Sequence, residues 1–271
     1  MSAVATQATL NNATWSTGSA RRDLDSVKGF TDPGEHAAYL HVVADARGKP
    51  ILDLGVGTGR TVPFFLPLTG EYTALDRLPA MVDVCRSRHP GVRVLLGDAR
   101  TLDDLETGSF QLVNFSYNGI DAVSHEGRAL ILRAVRRVLA PGGQLMFSTL
   151  NLDGPTYRER PWRLRVWPTR NPAKYLWRAA RQVASVPLDL VRWLSISGSV
   201  EKRDGYALAP LSAHHYGVVA HYTTLERQID ELGSAGFDPD VVVFDSLTGA
   251  RVRPGDDTSQ FDWFHLVARA V

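Results

Sequence analysis

One stretch of the sequence decides how the rest is interpreted: Ile51-Leu52-Asp53-Leu54-Gly55-Val56-Gly57-Thr58-Gly59-Arg60. It predicts a short strand, apolar on both faces, that ends at three glycines spaced two apart and leads into a helix. Glycine lets the backbone approach a bulky ligand closely and take positive φ values. Because the first N–H groups of a helix have no partner within it, they would face the same ligand.

Two ligand classes fit a glycine-rich turn between a strand and a helix. The dinucleotide fingerprint G-x-G-x-x-G places its third glycine where this chain has Arg60, so that pattern does not match. The pattern that is present, D-L-G-x-G-x-G from Asp53, resembles motif I of the class I S-adenosylmethionine (SAM)-dependent methyltransferases. The alternative is a glycine-rich turn without a ligand. The resemblance implies a Rossmann-like fold that binds SAM and releases S-adenosylhomocysteine.

The composition indicates a globular protein, since 44% of the 271 residues are hydrophobic and 22% are charged. That length suits one large domain, or one domain with an insertion. The net charge of +1 predicts no general attraction to nucleic acid or to anionic membranes. The single cysteine, Cys85, excludes a disulfide within the chain and a cysteine-based zinc site, and it fits a cytoplasmic location. No run of about 18 apolar residues and no signal-peptide pattern is found, so we expect no membrane partner.

Apolar segments of strand length and helix length alternate along most of the chain. Strands are predicted at 51–54, 71–76, 92–96, 110–116, 144–149, 241–244 and 261–268, and helices at 35–46, 61–68, 79–88, 127–139 and 223–236. Strands separated by helices at this spacing predict an α/β fold with a doubly wound, seven-stranded and mostly parallel sheet.

The alternation divides the chain into four parts. Residues 1–34 form an N-terminal segment, which the resemblance implies to be a lid and whose Trp15 could instead dock on the outside of the core. Residues 35–150 form the SAM-binding core, and residues 221–271 form the C-terminal part of its sheet. Residues 151–220 carry six prolines and no clean alternation, which predicts an inserted substrate cap between strand five and the last helix.

Acidic residues lie at the ends of two predicted strands. Asp76 ends strand two, where a carboxylate can accept hydrogen bonds from both ribose hydroxyls of an adenosine, or it caps the next helix. Asp98 and Ala99 follow strand three and resemble the third motif of the family, which implies that they bind the adenine; the alternative is a helix N-cap. Pro141-Gly142-Gly143, before strand five, is a further hallmark of the family. The predicted cofactor-binding residues are Asp53, Gly55, Gly57, Gly59, Asp76, Arg77, Met81, Asp98, Ala99, Arg100, Ser116 and Tyr117.

Strand four is followed by Ser116-Tyr117-Asn118-Gly119. Methyltransferases that act on exocyclic amines of nucleic-acid bases resemble one another in a [DNS]-P-P-[FYW] tetrad at this point, and both prolines are missing here. The sequence therefore resembles the small-molecule branch of the family, in which this loop lies along the methionine part of SAM. Tyr117 would then lie near the sulfonium, which an aromatic face attracts by about 1–2 kcal/mol, or it serves in ordinary packing.

Histidines supply most of the candidate general bases. Methyl transfer from SAM is an in-line displacement in which the protein chiefly aligns the reactants. A hydroxyl or protonated amine must also lose a proton, and His is the usual acceptor near neutral pH. The catalytic candidates, one after strand four and four at the end of the insertion, are His125, His214, His215, His221 and Tyr222. No metal site is predicted, because Asp121 alone does not form one and His is a poor ligand for magnesium.

The insertion is basic, since residues 151 to 205 contain eleven Lys and Arg against five Asp and Glu, a net charge of +6. Tryptophans are interleaved with these charges. Such a stretch can bind RNA, hold a carboxylated or phosphorylated small molecule through arginine forks, or fasten the cap to the core or to a second subunit.

The favoured hypothesis is a SAM-dependent methyltransferase that acts on an oxygen or nitrogen atom of a small, anionic molecule held under the cap. One alternative is an RNA or protein methyltransferase that docks through the basic cap. Another is a SAM-binding regulator without transferase activity. The expected partner is the small-molecule acceptor, a homodimer is compatible with the sequence, and nucleic acid is not expected.

Overall fold

The computed structural model of the chain describes Gln7, Asn11, Thr14 and residues 31–163, 169–198 and 200–271. Trp15, whose docking on the core is one of the predictions, lies outside the described residues. The strands of the described ranges are β1 (Ile51–Leu54), β2 (Tyr72–Asp76), β3 (Arg93–Leu96), β4 (Phe110–Phe115), β5 (Leu139–Asn151), β6 (Glu201–Arg203), β7 (Tyr206–Pro210), β8 (Val219–Thr223), β9 (Val242–Asp245), β10 (Arg251–Val252) and β11 (Trp263–Arg269). The α-helices are α1 (Pro33–Ala46), α2 (Val62–Phe65), α3 (Pro79–Arg88), α4 (His125–Val138), α5 (Pro172–Ser197) and α6 (Leu225–Ser234).

Eight strands form one continuous sheet in the order β10-β9-β11-β5-β4-β1-β2-β3. The strands β1 to β5 are parallel, and β11 is antiparallel to both of its neighbours, β5 and β9. The predicted α/β fold with a doubly wound, mostly parallel sheet is confirmed, and the seven predicted strands correspond to β1 to β5, β9 and β11. The sheet is larger than predicted because the two residues of β10 are too few to give a pattern and because the insertion adds β6, β7 and β8.

Alternate residues of the strands are buried against helices on opposite faces of the sheet. Ile51 belongs to the apolar cluster that includes Ala38 and Val42 of α1, whereas Leu52 belongs to the cluster that includes Ile131 of α4. Successive side chains of a strand point to opposite faces, so both faces of β1 are covered. Because every residue of β1 and β2 is buried, these strands form a fixed base for the loops that follow them.

The insertion has more regular structure than its sequence predicts. The helix α5 runs for 26 residues, and β7 pairs with β6 and β8 in an antiparallel ribbon. Because β8 also lies parallel to the end of β5, the insertion continues the core sheet, and the predicted boundary after residue 220 falls inside β8. A search for an inward apolar stripe misses α5, since only Asp189 and Ile196 are buried and Pro187 lies inside the helix. Like the other helices of the described ranges, α5 lacks the continuous apolar length needed to cross a membrane.

Candidate active site

A cavity of about 180 Å³ lies beyond the carboxyl ends of β1, β2 and β4; we call it the strand-end cavity. Ligands of open α/β sheets bind in this position. Its walls include nine of the predicted cofactor-binding residues: Gly55, Gly57, Asp76, Arg77, Met81, Asp98, Ala99, Ser116 and Tyr117. The other three, Asp53, Gly59 and Arg100, do not line it.

Asp76 fixes the shape of the glycine turn. Its Oδ2 atom accepts a hydrogen bond of 2.9 Å from the N–H of Gly57, and its Oδ1 atom accepts one of 2.9 Å from the N–H of Leu78. Burial raises the pKa of this carboxyl group, although the two donors act in the opposite direction. Since a carboxylate oxygen can accept more than one hydrogen bond, both oxygens keep capacity for the two hydroxyls of a ribose.

Asp53 lies beneath the glycine turn, where it is only 1% exposed. Its carboxylate accepts hydrogen bonds from Thr61 Oγ1 at 2.5 Å, Tyr72 OH at 2.6 Å and Asn114 Nδ2 at 2.7 Å. Burial raises the pKa of Asp53, against the effect of these three donors. The partners come from the start of α2, from β2 and from β4, so Asp53 ties together the elements that hold the turn. The structure therefore gives it a positioning role instead of the predicted contact with the cofactor.

Gly59 allows the turn to pack on α3. Its φ of +91° is one that residues with a side chain rarely adopt, and a Cβ added there would lie 2.5 Å from the ring of His89 and 3.3 Å from Cys85 Sγ. Gly55, in the cavity wall, is constrained as well, because its Cβ would lie 2.7 Å from Cε2 of Phe115. The turn therefore presents bare backbone to the cavity, as close contact with a bulky ligand requires.

Asp98 lies at the rim of the cavity and is paired with Arg100. The Nη2 atom of Arg100 lies 2.5 Å from Asp98 Oδ2, and its Nε atom lies 3.0 Å from Asp98 Oδ1. This pairing lowers the pKa of Asp98. The carboxylate therefore stays ionised and can accept a hydrogen bond from an amino group. Arg100 therefore acts on the cavity through Asp98, which differs from the predicted direct contact.

Arg60 is a residue of the cavity wall that the sequence did not identify as part of the site. Its guanidinium forms a bidentate ion pair with Glu35, at 2.5 and 2.7 Å, and donates to Ser116 Oγ at 3.0 Å. It also lies 5.4 Å from the ring centroid of Tyr117. Burial lowers the pKa of Arg60, but the Glu35 carboxylate outweighs this effect and the net direction is upward. Its place directly after the last glycine could have indicated it, because that is where the turn enters the helix.

The loop after β4 carries backbone strain. Tyr117 and Asn118 have φ values of +55° and +56°, and this left-handed region costs a residue with a side chain about 1–2 kcal/mol. The N–H of Asn118 donates to Ser148 Oγ at 2.7 Å, which holds the loop in place. Strain of this kind concentrates at functional sites, and the strained residues lie where the strand-end cavity meets a second cavity.

The second cavity has a volume of about 740 Å³ and lies under the insertion; we call it the cap cavity. It shares Tyr117, Asn118 and Ala122 with the strand-end cavity, so the two cavities meet at the end of β4. One side of α5 contributes to its wall, as does the segment that carries His214 and His215. Of the five predicted catalytic residues, these two histidines line the cap cavity.

His215 is held by a carboxylate from another part of the insertion. Its Nδ1 atom lies 2.9 Å from Asp189 Oδ1, and Ser185 Oγ donates to Asp189 Oδ2 at 2.8 Å. The backbone of His215 and of Tyr216 is left-handed, with φ values of +51° and +56°, and this turn presents the histidine to the cavity. Sequence analysis missed Asp189 as a site residue, because it precedes His215 by 26 residues and no motif links the two.

The other predicted catalytic residues lie elsewhere, and neither His125, His221 nor Tyr222 lines the strand-end cavity or the cap cavity. His125 Nδ1 lies 3.3 Å from His221 Nε2 and 3.6 Å from Glu231 Oε1. The two imidazole rings are nearly parallel, with an interplanar angle of 9° and centroids 5.5 Å apart. With Glu231 they bring three ligand-type atoms within 4.8 Å of one another, so the expectation of no metal site stays a prediction. The hydroxyl of Tyr222 is buried, and burial raises the pKa of this group well above its ordinary value.

A buried charge pair lies next to the cap cavity. Arg128, with no exposed surface, donates to Asp121 and to Gln228. Asp121 lines the cap cavity and also accepts from Thr149 Oγ1 at 2.8 Å and from the N–H of Leu150 at 2.7 Å. Burial raises the pKa of Asp121 to about 7, against the effect of Arg128. Sequence analysis considered Asp121 only as a metal ligand, whereas the structure uses it to hold α4 against β5.

Three described residues of the N-terminal segment contact the region where the cavities meet. Asn11 lines the strand-end cavity, and its Nδ2 atom donates to the carbonyls of Ala122 and Val219 at 2.8 and 2.9 Å. Gln7 donates to the carbonyls of Val123 and Val219, and Thr14 donates to that of Gly217. These contacts join the loop after β4 to the insertion, as a lid would. The prediction of a lid for 1–34 remains a prediction.

Comparisons with known proteins agree with this geometry. Residues 51–143 match the family model of a methyltransferase domain. The chain is 33% identical over 111 residues, 40% of its length, to a probable phthiotriol/phenolphthiotriol dimycocerosates methyltransferase of Mycobacterium ulcerans, of which 42% is covered. It is 32% identical over 118 residues, 42% of its length, to a ubiquinone biosynthesis O-methyltransferase of Xanthomonas oryzae, of which 48% is covered. The matches thus span about half the length of these relatives.

A solved structure shows the same fold over a longer part of the chain. The SAM-bound amino pentose methyltransferase of Micromonospora echinaspora has a TM-score of 0.53 at 18% identity, and the match covers 91% of this chain and 95% of that one. The fold is the Rossmann-like fold of class I methyltransferases, and residues 51–143 form a region that matches a methyltransferase domain. The chain is thus similar to SAM-dependent methyltransferases over this core, and SAM remains the predicted cofactor of the strand-end cavity.

Proposed function

We propose that this protein transfers the methyl group of SAM to an oxygen or nitrogen atom of a small, anionic molecule bound in the cap cavity. The observation that carries the proposal is the meeting of the two cavities at Tyr117, Asn118 and Ala122. A cofactor in one cavity and an acceptor in the other would face each other across this strained loop. The cytoplasm remains the proposed location.

The strand-end cavity has groups suited to each part of SAM. The Asp76 carboxylate would accept from the ribose hydroxyls, and Asp98 with the N–H of Ala99 would hold the adenine. The backbone of Gly55 and Gly57 would lie against the methionine part. When bound, SAM supplies an activated methyl group on a sulfonium, so the protein's contribution is mainly alignment of the two reactants.

His215 is the group best placed to remove a proton from the acceptor. Its ring is 47% exposed at the cap cavity, while Asp189 holds its Nδ1 atom. A carboxylate on Nδ1 favours the tautomer in which Nδ1 carries the hydrogen, and this leaves Nε2 free to accept a proton. As the acceptor oxygen or nitrogen forms its bond to the methyl carbon, its proton would pass to Nε2 of His215.

The arginines of the cap cavity support an anionic acceptor. Arg160, Arg163, Arg178 and Arg181 line it, together with four carboxylates. Those carboxylates already have partners within the protein: Asp121 pairs with Arg128, Asp189 with His215, Glu159 with Ser212 and Asp262 with Thr156. Because Arg128, which pairs with Asp121, lies outside this lining, four arginines stand against three carboxylates without a cationic partner of that kind, and Arg forks bind carboxylate and phosphate groups well. The name of one relative, an O-methyltransferase, supports an oxygen acceptor.

The proposal is tested by calorimetry with SAM, followed by measurement of S-adenosylhomocysteine release over a panel of acceptors. The panel pairs hydroxylated and aminated aromatic carboxylates with their neutral amides. Release that matches methylated product, with the acid preferred over the amide, would support the proposal. Binding of SAM without turnover over the whole panel would instead support a non-catalytic SAM-binding protein. Turnover of RNA alone, with steep salt dependence, would support the RNA alternative.

A further inference from the structure

The helix α5 has its apolar side turned outward. Six large apolar side chains of this helix are each at least 50% exposed: Leu176, Trp177, Val183, Leu188, Val191 and Leu194. Successive residues of an α-helix are about 100° apart, so these side chains lie within less than half of its circumference. Ala173, Ala180, Ala184 and Pro187, all exposed, fill the space between them. We call this surface the outer face of α5.

The opposite side of α5 is polar and faces the cap cavity, which Trp177 and Arg181, at the edge of the outer face, also line. Arg178, Gln182, Ser185 and Asp189 follow one another at spacings of three or four residues and all line that cavity. An ordinary surface helix has the reverse arrangement, with its apolar stripe on the core and its polar side in solvent. Contiguous exposed apolar surface of this kind marks a site of interaction with another apolar surface.

Charge indicates what covers the outer face. Lys174, Arg181 and Arg192 lie along one edge of it, at spacings of 7 and 11 residues that return to the same side of a helix. All three are exposed, whereas the one acidic residue of α5, Asp189, is buried and bonded to His215. Within Pro172–Ser197, all of which is described, the outer surface thus combines apolar side chains with positive charge only.

This combination fits an anionic lipid surface better than a second copy of the chain. Antiparallel pairing of two identical outer faces would bring the cationic edges together, and parallel pairing would place each against a neutral edge, so neither arrangement gives them an acidic partner on the other helix. An anionic bilayer offers both an apolar layer and negative headgroups, and helices that lie in the interface have this division into apolar and basic sides. The exposed Trp177, at the edge of the outer face, adds an aromatic ring of the kind that favours the headgroup region.

We propose that the outer face of α5 docks on the surface of an anionic lipid bilayer, with the helix axis along the membrane plane. The sequence-based expectation of no membrane partner rested on the lack of a spanning segment and on the small net charge of the whole chain. Neither observation tests for a helix that lies on the surface of a membrane without crossing it. If the proposed function holds, the cap cavity has the membrane-bound helix as part of its wall, and a lipophilic anionic acceptor could enter it from the bilayer.

The test is flotation of the full-length protein with vesicles, in the absence of SAM and acceptor. We expect binding to vesicles of equal parts phosphatidylglycerol and phosphatidylcholine, and none to phosphatidylcholine alone. The double variant Leu176→Glu/Val191→Glu should weaken the binding by at least roughly tenfold, because it puts charge in the buried layer. The double variant Lys174→Gln/Arg192→Gln should also weaken it by roughly tenfold or more, since each cation near an anionic surface contributes about fivefold.

The matched control is Leu247→Glu, which charges a leucine that is 60% exposed but lies outside the insertion. It should bind the anionic vesicles like the wild type. None of the substituted residues lines either cavity, so SAM affinity should be unchanged in every variant, and failure of the docking proposal is separate from failure of the proposed function. Absence of wild-type binding, or equal binding by the Leu176→Glu/Val191→Glu variant, would overturn the proposal. So would a wild-type dimer in light scattering that this variant dissociates, which would assign the outer face to a second copy.

Discussion

Asp189 Oδ1 and His215 Nδ1 lie 2.9 Å apart, and this contact joins α5 to the turn that precedes β8. Both residues line the cap cavity. The contact therefore has two consequences. It fixes the orientation of the histidine ring, and it holds α5 against the turn that precedes β8. If methyl transfer takes place as proposed, these consequences can be separated by substitution.

His215→Gln should lower kcat by roughly 100-fold or more, the usual contribution of a positioned general base, while SAM affinity stays unchanged. Asp189→Asn should have a smaller effect on kcat, because the ring remains but its tautomer is no longer selected. The measurement is S-adenosylhomocysteine release under saturating substrate. His41→Gln, at an exposed histidine of α1, is the control. Unchanged turnover in His215→Gln would mean that the acceptor arrives already deprotonated or that another group takes the proton.

Asp76→Asn should weaken SAM binding by roughly 10- to 100-fold, since hydrogen bonds to a charged group contribute about 1.5–3 kcal/mol. The substitution keeps the shape of the side chain, but one of the two oxygens that accept from Gly57 and Leu78 becomes a donor. Calorimetric titration with SAM measures the change. Asp83→Asn, at an exposed aspartate of the neighbouring helix α3, should bind normally. Equal affinities for the two variants would remove Asp76 from the cofactor site.

The strand-end cavity could be predicted because its residues lie at the ends of a regular pattern. The spacing of apolar residues changes from that of a strand to that of a helix after β2, which locates the end of this strand. The carboxyl ends of parallel strands share one edge of the sheet. Asp76, Asp98 and Tyr117 therefore reach the cavity as expected from local sequence alone. Asp53 and Gly59 belong to the same motif, but whether a motif residue contacts the ligand or supports the turn depends on side-chain packing, which spacing does not determine.

The cap cavity could not be predicted in the same way. Its helix has a polar side inward and an apolar side outward, so the usual relation between apolar pattern and burial is reversed. The pair Asp189–His215 and the pair Glu35–Arg60 each join positions 25 or 26 residues apart. Such contacts depend on the path of the chain through space. For that reason the five catalytic candidates were found by residue type, and only His214 and His215 lie in a cavity wall.

Gly59→Ala should destabilise the fold more than Gly91→Ala does. Both glycines have nearly the same backbone conformation, with φ of +91° and +93°, but an added Cβ meets His89 and Cys85 only at Gly59. The backbone term of about 1–2 kcal/mol is common to both variants, and overpacking adds about 1–3 kcal/mol at Gly59 alone. Denaturant unfolding gives both free energies. If the two variants lose the same stability, the turn does not pack on α3 as described.

Asn11→Ala should weaken SAM binding by roughly tenfold. The Asn11 amide donates hydrogen bonds to the carbonyls of Ala122 and Val219 and accepts one of 2.9 Å from the N–H of Val219. Each buried polar group left without a hydrogen-bond partner costs about 1–3 kcal/mol of free energy. Ala122 lines both cavities, so loosening it should enlarge the opening between them. Thr14→Val, which removes the bond to Gly217, lies farther along the same segment and should change SAM affinity less. Identical SAM affinity in Asn11→Ala and wild type would argue against a lid at this position.

His221 should make the protein less stable in mild acid. It has no exposed surface, and burial, with Arg128 as the next cause, holds the pKa of its imidazole far below the ordinary value of 6.5. As the pH falls below about 6.5, the unfolded chain gains a proton at this position and the folded chain does not, so the free energy of unfolding decreases with falling pH. One such proton gives a slope of about 1.4 kcal/mol per pH unit.

The variant His221→Gln cannot take up this proton. Its free energy of unfolding should therefore fall less steeply than that of the wild type between pH 6 and pH 5, by up to that slope, even if it is less stable at pH 7 because its bond to His125 is lost. Urea unfolding at each pH measures both curves. His36→Gln, at an exposed histidine of α1, should keep the wild-type slope. Parallel curves for His221→Gln and wild type would show that the imidazole is protonated in the folded protein, which the contact at 3.3 Å with His125 and the nearby Arg128 oppose.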